Sequence, residues 1–459
     1  MSNTHKTINP ATEEVLETYT LMSRQDAEGI IEQAHHAFLN WRQTGFEERA
    51  DALRKTAALI RERQDDYAEL MTREMGKTLA QGKQECELCA AICEYTAEHG
   101  PTELADETRE LEGGRAVVSY QPQGVIYGIQ PWNFPLYQVI RYSAANLMAG
   151  NTVLLKHANN VWGMALEVEK LYRDAGMPEH AFRTLLIDHE VSDAVIEHNL
   201  VRGVTLTGSP NAGRAVAQRA AKVLKKTVLE LGSNDAYLVL ADANIKKAVQ
   251  LCVQGRTYNA GQTCVAAKRF IVEEPVYEEF RDAYLAEMEK LNFGDPTHSD
   301  TKMGPMARED LRDGLHEQVR KSIENGAICS LGGEIPEDKG YYYPPTILEN
   351  VAPGQPAYDD ELFGPVAALI KVKDVAEAMR VANDSIYGLG GGIFSTDEDE
   401  AVRLARDEFD TGMVNINGYN LAQPNLPFGG VKQSGYGREH GGFGMLEFVN
   451  VKSVMVSES

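Results

Sequence analysis

The order of apolar runs predicts an α/β protein with two parallel-sheet units in tandem. Strand-like and helix-like segments alternate from 136 to 231 and again from 236 to 417, the pattern of strand–helix–strand crossovers in which helices cover a mostly parallel sheet. Length points the same way, because 459 residues exceed what one hydrophobic core serves and two or three domains are expected.

Residues 24–99 read as helical: runs such as DAEGIIEQAHHAFLNW and ERADALRKTAALIRER space apolar residues three and four apart. Strand-like runs follow at 116–120 and 124–130, separated by a turn signal at Pro122 and Gly124, and they end in Pro131-Trp132-Asn133-Phe134-Pro135. The first alternating unit then gives a helix over 136–148, strand 152–156, a helix over 162–175, strands 184–187 and 203–208, a helix over 211–224 and strand 227–231. A Gly-Ser-Asn turn leads into the second unit, through AYLVLAD, a helix, KRFIVEE, another helix, VAALIKV and MVNIN. The final run EFVNVKSVMV has few turn residues. Without a sheet of its own it is expected to pair elsewhere, another subunit being one candidate.

Hydrophobic residues make up 43% and charged residues 25%, ordinary globular composition. With 45 Lys and Arg against 68 Asp and Glu, the charge of −23 and the lack of a dense basic block argue against nucleic acid as a partner. The N-terminus lacks the pattern of a secretion signal and no run of about 18 apolar residues occurs, so a soluble cytoplasmic protein with no membrane partner is expected. Its six cysteines are then expected to be reduced. Cys86, Cys89 and Cys93 fall on one helical face with no matching second ligand pair, and the eleven histidines form no ligand-like cluster, so packing and no catalytic metal are expected.

Three residues carry candidate chemistry. Cys264 follows a helical run, where backbone N–H groups can lower a thiol pKa and make it nucleophilic; spacing alone favours a buried core cysteine. Glu230 is a single carboxylate at an apolar strand end, suited to a general base with a raised pKa, or turned to solvent. Asn133, between two prolines, offers an amide donor for an oxyanion, or is a turn residue. A Gly-x-Gly-x-x-Gly fingerprint is absent. Gly208 and Ser209, between a strand and a helix, are the candidates for a pyrophosphate, although a plain turn explains them nearly as well.

The runs PWNFP (131–135), LELGS (229–233), NAGQTC (259–264), ELFGP (361–365) and PFGGVKQSGYGRE (427–439) resemble, in order and spacing, the motifs of the aldehyde dehydrogenase superfamily over essentially the whole chain. The resemblance implies an aldehyde dehydrogenase-like fold: a dinucleotide-binding Rossmann-like domain (1–103 and 123–230), a catalytic Rossmann-like α/β domain (231–433), and a small β oligomerisation element (104–122 and 434–459) in a homodimer or homotetramer. It implies oxidation of an aldehyde to an acid by NAD or NADP, with Cys264 as nucleophile, Glu230 as base, and Asn133 with the Cys264 N–H as oxyanion hole. Trp132, Lys156, Glu361 and Phe363 are carried over to the coenzyme. Members selective for NAD commonly have Glu three residues after the lysine; Asn159 here lacks that charge, so both coenzymes are expected to be accepted.

Arg141 resembles an arginine with which succinate-semialdehyde members hold the distal carboxylate. The chain departs from them in having Tyr258 before the NAGQTC run, a second candidate substrate contact, and Gly441 where they have Ser; Arg256 is another possible anchor. Succinate semialdehyde is therefore the expected substrate, with broad-specificity oxidation of other aldehydes as the alternative. A CoA-acylating enzyme would not need Glu230, and a non-catalytic member of the fold would be expected to lose Cys264, Glu230 or Asn133.

Overall fold

The computed structural model describes residues 4–457. A six-stranded sheet has the order Gly435–Tyr436, Lys226–Glu230, Val201–Thr207, Val125–Gln130, Thr152–His157, Phe182–Thr184, parallel except for the first pair. A seven-stranded sheet has the order Ile328–Leu331, Thr346–Glu349, Val366–Val372, Arg269–Glu273, Ala236–Val239, Gly391–Phe394, Asn415–Ile416, again parallel except for its first pair. Strict alternation decides the faces of this second sheet. Ala236 and Leu238 enter one apolar cluster with Ile271, Ala368 and Ile370, while Tyr237 and Val239 enter the other with Phe270, Val272 and Leu369.

The expected helical region is four helices, Arg24–Trp41, Phe46–Glu62, Gln64–Met75 and Leu79–Glu103. Cys86, Cys89 and Cys93 lie buried on the last of them, in one apolar core with Leu53, Ile140 and Leu171. An antiparallel hairpin, Thr4–Ile8 with Val15–Thr20, precedes these helices and was not foreseen. No helix among the described residues is long and apolar enough to cross a membrane.

Two expectations need correction. The strand expected at 184–187 is Phe182–Thr184: the Leu185 amide makes one last bond to Leu155 O at 2.7 Å, and Leu186 O instead accepts from the Met22 amide at 2.8 Å, so the chain has left the sheet. The C-terminal run does have a sheet within its own chain. Val449–Ser457 pairs antiparallel with Gly114–Pro122, Val449 opposite Pro122 and Ser457 opposite Gly114, and Glu107–Leu111 completes three strands.

Candidate active site

Two loops meet where the carboxyl edge of the six-stranded sheet faces the amino edge of the seven-stranded one. The first, 131–135, leaves the strand Val125–Gln130 and enters the helix Tyr137–Ala149. The helix's leading amides, Leu136 and Tyr137, both donate to Glu85 Oε1 at 2.9 Å, which places a carboxylate at the positive end of the helix dipole. Glu85 is ion-paired with the buried Lys77, whose ammonium lies 4.2 Å from the centre of the Phe134 ring. On the other side, His157 Nδ1 accepts from the Ala158 amide at 3.1 Å and Nε2 donates to Pro135 O at 2.9 Å. Burial lowers this imidazole to about 4, so the ring that holds the loop is neutral.

The second loop carries Cys264. After the helix Ile245–Thr257, Asn259, Ala260 and Gly261 take left-handed φ of 56°, 53° and 71°. For Ala260 this costs about 1–2 kcal/mol, and less for Asn259, whose short polar side chain tolerates the conformation. Side chains hold the strained turn against Asn133: Asn259 Nδ2 donates to Asn133 O at 2.9 Å and to Gln262 O at 3.2 Å, and Asn133 Nδ2 donates to Gln262 O at 3.1 Å. Gln262 Oε1 accepts from the Ala307 amide at 2.9 Å. A Cβ at Gly261 would overlap the Gly364 carbonyl, so the NAGQTC and ELFGP runs touch through backbone. The PWNFP and ELFGP runs touch through rings, Trp132 and Phe363 meeting edge to face at 5.8 Å.

Cys264 is partly exposed. Its thiol was expected to be lowered, and the structure corrects this: burial pushes it up to about 11, although Arg141 and Lys268 pull it down. Desolvation of the thiolate outweighs the two cations. Glu230, at the end of its strand, is 2% exposed and neither carboxyl oxygen has a hydrogen-bond partner among the described residues. Burial holds it well above the usual carboxylate range; Arg141 opposes this and Glu439 adds to it. The bare backbone of Gly429 makes room, since a Cβ there would lie 2.8 Å from Glu230 Oε1.

Arg141 joins these groups. Its guanidinium is fully buried, ion-paired with Glu439, and donates Nη2 to Thr207 Oγ1 at 2.8 Å. It lies 4.8 Å from the Phe428 ring centre and 5.2 Å from that of Tyr137. Burial opposes its charge, but Glu439, Tyr137, Glu230 and Cys264 favour it, so thiol and carboxyl are both within electrostatic reach of one cation. Tyr258 stacks on Phe134, 6.3 Å between centres and 12° between planes. Arg256 turns away beneath the loop, where Nη2 donates to Gly261 O at 2.8 Å. A cavity of about 260 Å³ lies beside the residue after the thiol, lined by Val265, Phe428, Leu421, Ala422 and Asp235 among others; Arg141 and Tyr258 are not on its wall.

In the six-stranded sheet, the strand order places Val125–Gln130 beside Val201–Thr207 while the connections after them run to opposite ends of the sheet, a switch point with a crevice at the carboxyl edge. Gly208 and Ser209 lie at that edge, and Ser209 Oγ caps the helix Pro210–Lys222 by accepting from the Ala212 amide at 3.3 Å. Lys156 is 5% exposed, with no carboxylate within ion-pair distance among the described residues, and burial lowers its pKa. A nearly buried ammonium without a partner suits an acceptor brought by a ligand. Asn159, partly exposed, opens the short turn Asn159–Val161.

Glu361 is ion-paired with Lys268, Oε1 to Nζ 3.2 Å. Lys268 and Ser233 escaped the reading of the sequence, where Lys268 passed as the first residue of a strand; a lysine between two apolar stretches was the available signal. Glu439 lay inside a quoted motif without a role. Glu85 and Lys77 belong to a segment read only as helical, and His157 follows the expected strand 152–156 without a role.

The family model described as "Aldehyde dehydrogenase family" matches residues 1–454. The chain is 44% identical over 447 residues to succinate semialdehyde dehydrogenase [NAD(P)+] Sad of Escherichia coli (strain K12), which covers 97% of this chain and 96% of that one. Among solved structures, Gox0499 superposes with a TM-score of 0.97 at 40% identity, over 99% of this chain and 100% of that one. Succinic semialdehyde dehydrogenase from Streptococcus pyogenes, in complex with NADP+, superposes with a TM-score of 0.96 at 38% identity, over 98% and 99%. Sequence, fold and the meeting of the five motifs around one thiol agree: the chain belongs to the aldehyde dehydrogenase family.

Proposed function

We propose that the protein oxidises succinate semialdehyde to succinate with NAD or NADP, through a covalent adduct on Cys264. The observation that carries this reading is the gathering of the thiol, Glu230 and a fully buried arginine in one site. The relatives named above as succinate semialdehyde dehydrogenases support the substrate, and their coenzymes support NAD or NADP.

The Cys264 thiolate adds to the aldehyde carbonyl carbon. Asn133 Nδ2 and the Cys264 N–H receive the oxyanion, a contribution of roughly 3–4 kcal/mol per donor. A bound nicotinamide supplies the acceptor for the aldehyde's hydride. Glu230, buried and without a partner, takes a proton from the water that attacks the resulting thioester; the acid leaves and the thiol is restored. Lys156, Gly208, Ser209, Trp132, Glu361 and Phe363 would hold the coenzyme. The absence of a carboxylate at Asn159 leaves room for a 2′-phosphate. Of the three proposed domains, residues 1–103 with 123–230 bind coenzyme, 231–433 carry the thiol, and 104–122 with 434–459 build a homodimer or homotetramer. The outer strand of that last element, with Val451, Val454 and Met455 exposed, supports the assembly. Free cysteines support a reducing, cytoplasmic setting.

Arg141 is the proposed anchor for the distal carboxylate and Tyr258 a wall of the substrate site. A second reading, broad specificity, is favoured by the Glu439 pair, which already balances the arginine. A panel of aldehydes with and without a distal carboxylate decides between them. Succinate semialdehyde should be preferred by kcat/KM over an uncharged aldehyde of equal length by at least tenfold, about 1.4 kcal/mol. Arg141→Ala should erase that preference; a preference unchanged in the variant would exclude Arg141 as the anchor.

A further inference from the structure

Lys268 is 2% exposed and stands under the thiol loop, just before the strand Arg269–Glu273. Its ammonium donates to Cys264 O at 2.6 Å, Ser233 Oγ at 2.7 Å and Thr263 O at 3.3 Å. An ammonium has three protons and no acceptor, so these oxygens and Glu361 Oε1, 3.2 Å away, take up its donors. Its charge pairs with the Glu361 carboxylate through Oε1. Ser233 Oγ donates in turn to Cys264 O, so the nucleophile's own carbonyl is held twice.

We propose that Lys268 is a positioning residue: one ammonium fixes the main chain of Thr263 and Cys264 and neutralises Glu361, so that the nucleophile and the carboxylate on the coenzyme side are held as a unit. The inference rests on the reading of Cys264 as nucleophile and Glu361 as a coenzyme contact. The charged and titratable groups facing the thiol are Arg141 and Tyr137 from the helix Tyr137–Ala149, Asp235 from the segment before the strand Ala236–Val239, Glu361, Tyr419 and Lys268 itself. Arg141 is already balanced by Glu439. Asp235 keeps Arg269 and the Gly390 amide as partners, so without Lys268 it is Glu361 that would stand as uncompensated negative charge beside the thiol and oppose its ionisation.

The test uses the full-length enzyme and Lys268→Met, which keeps the stem and removes the charge. Two quantities are read: the rate at which iodoacetamide alkylates Cys264 at pH 8, followed on the Cys264 peptide by mass spectrometry, and the coenzyme KM. Alkylation should fall about tenfold, and the coenzyme KM should rise about tenfold. In Lys268→Met/Glu361→Gln, alkylation should recover in part, because the unbalanced carboxylate is gone while the bonds to Thr263 O and Cys264 O stay lost. The coenzyme KM of that double variant should equal that of Glu361→Gln alone. A lysine that only props the fold would lower the melting temperature without this recovery. Unchanged alkylation in Lys268→Met, or KM effects that multiply independently in the double variant, would overturn the proposal. If Lys268→Met does not fold, the same two quantities are read in Lys268→Gln, which keeps hydrogen-bond donors without the charge, and the same fall in alkylation and rise in coenzyme KM are expected. Full turnover by enzyme alkylated at Cys264 would instead remove the underlying reading of the nucleophile.

Discussion

The two sheets contribute opposite edges to one site, and they build their edges differently. The six-stranded sheet offers its carboxyl edge, where strand ends, a capped helix start and the partnerless Lys156 follow from ordinary α/β architecture. The seven-stranded sheet offers its amino edge, where a carboxyl-edge crevice is not available. Its thiol is placed by a turn of three left-handed residues and by buried charges, Arg141 with Glu439 and Lys268 with Glu361. The carboxyl edge of the six-stranded sheet, proposed for the coenzyme, is generic; the thiol side is strained and desolvated.

That contrast predicts where substitutions hurt most. Cys264→Ala should abolish turnover, leaving coenzyme binding measured by fluorescence titration unchanged; turnover above a few per cent of wild type would move the chemistry elsewhere. Glu230→Gln should come next, with steady-state kcat down by about 10²–10⁴ while one equivalent of NAD(P)H still forms in a stopped-flow burst. A missing burst would place Glu230 in the first half-reaction; an unimpaired steady state would remove it from the mechanism.

The thiol also gives a pH test. With Cys264 pushed up to about 11 by burial, the thiol is protonated at neutral pH and its thiolate fraction grows tenfold with each pH unit below that value. Alkylation of Cys264 in the enzyme without substrates should therefore climb about a thousandfold from pH 7 to pH 10 without a plateau. Levelling off below pH 9 would show that Arg141 and Lys268 outweigh desolvation.

The same contrast explains what could be read from the sequence. Periodicity located the sheets because alternation and helical spacing are local properties, as in VAALIKV, which forms the strand Val366–Val372. Cys264, Glu230 and Asn133 could be named because the motifs around them are contiguous. Glu85 and His157 could not, because the Leu136 amide and Pro135 O that they bind lie 51 and 22 residues away, and the Ser233 hydroxyl and Glu361 carboxylate that give Lys268 its setting are likewise brought to it only by the fold. The sign of the thiol shift failed for a related reason: a loop after a helix suggests exposed amides, but beside the neighbouring Val265 the thiol packs against Leu389 and Phe428 from distant segments. The strand Val449–Ser457 found its partner more than 300 residues upstream, a pairing that no local pattern encodes.

The smallest expected effect belongs to the generic side and sharpens the comparison from there. Asn159 is partly exposed at the start of a short turn, so replacing it disturbs neither sheet nor the thiol loop. Asn159→Glu would place a carboxylate where a 2′-phosphate is proposed to lie. Near a solvated surface, like charges a few ångströms apart repel by about 1–2 kcal/mol. The ratio of kcat/KM for NADP to that for NAD should fall about tenfold, by a rise in the KM for NADP, while the alkylation rate of Cys264 stays at the wild-type value. A change in alkylation would mean that the two edges communicate through more than the Lys268–Glu361 pair, and an unchanged coenzyme ratio would place the 2′ position away from residue 159.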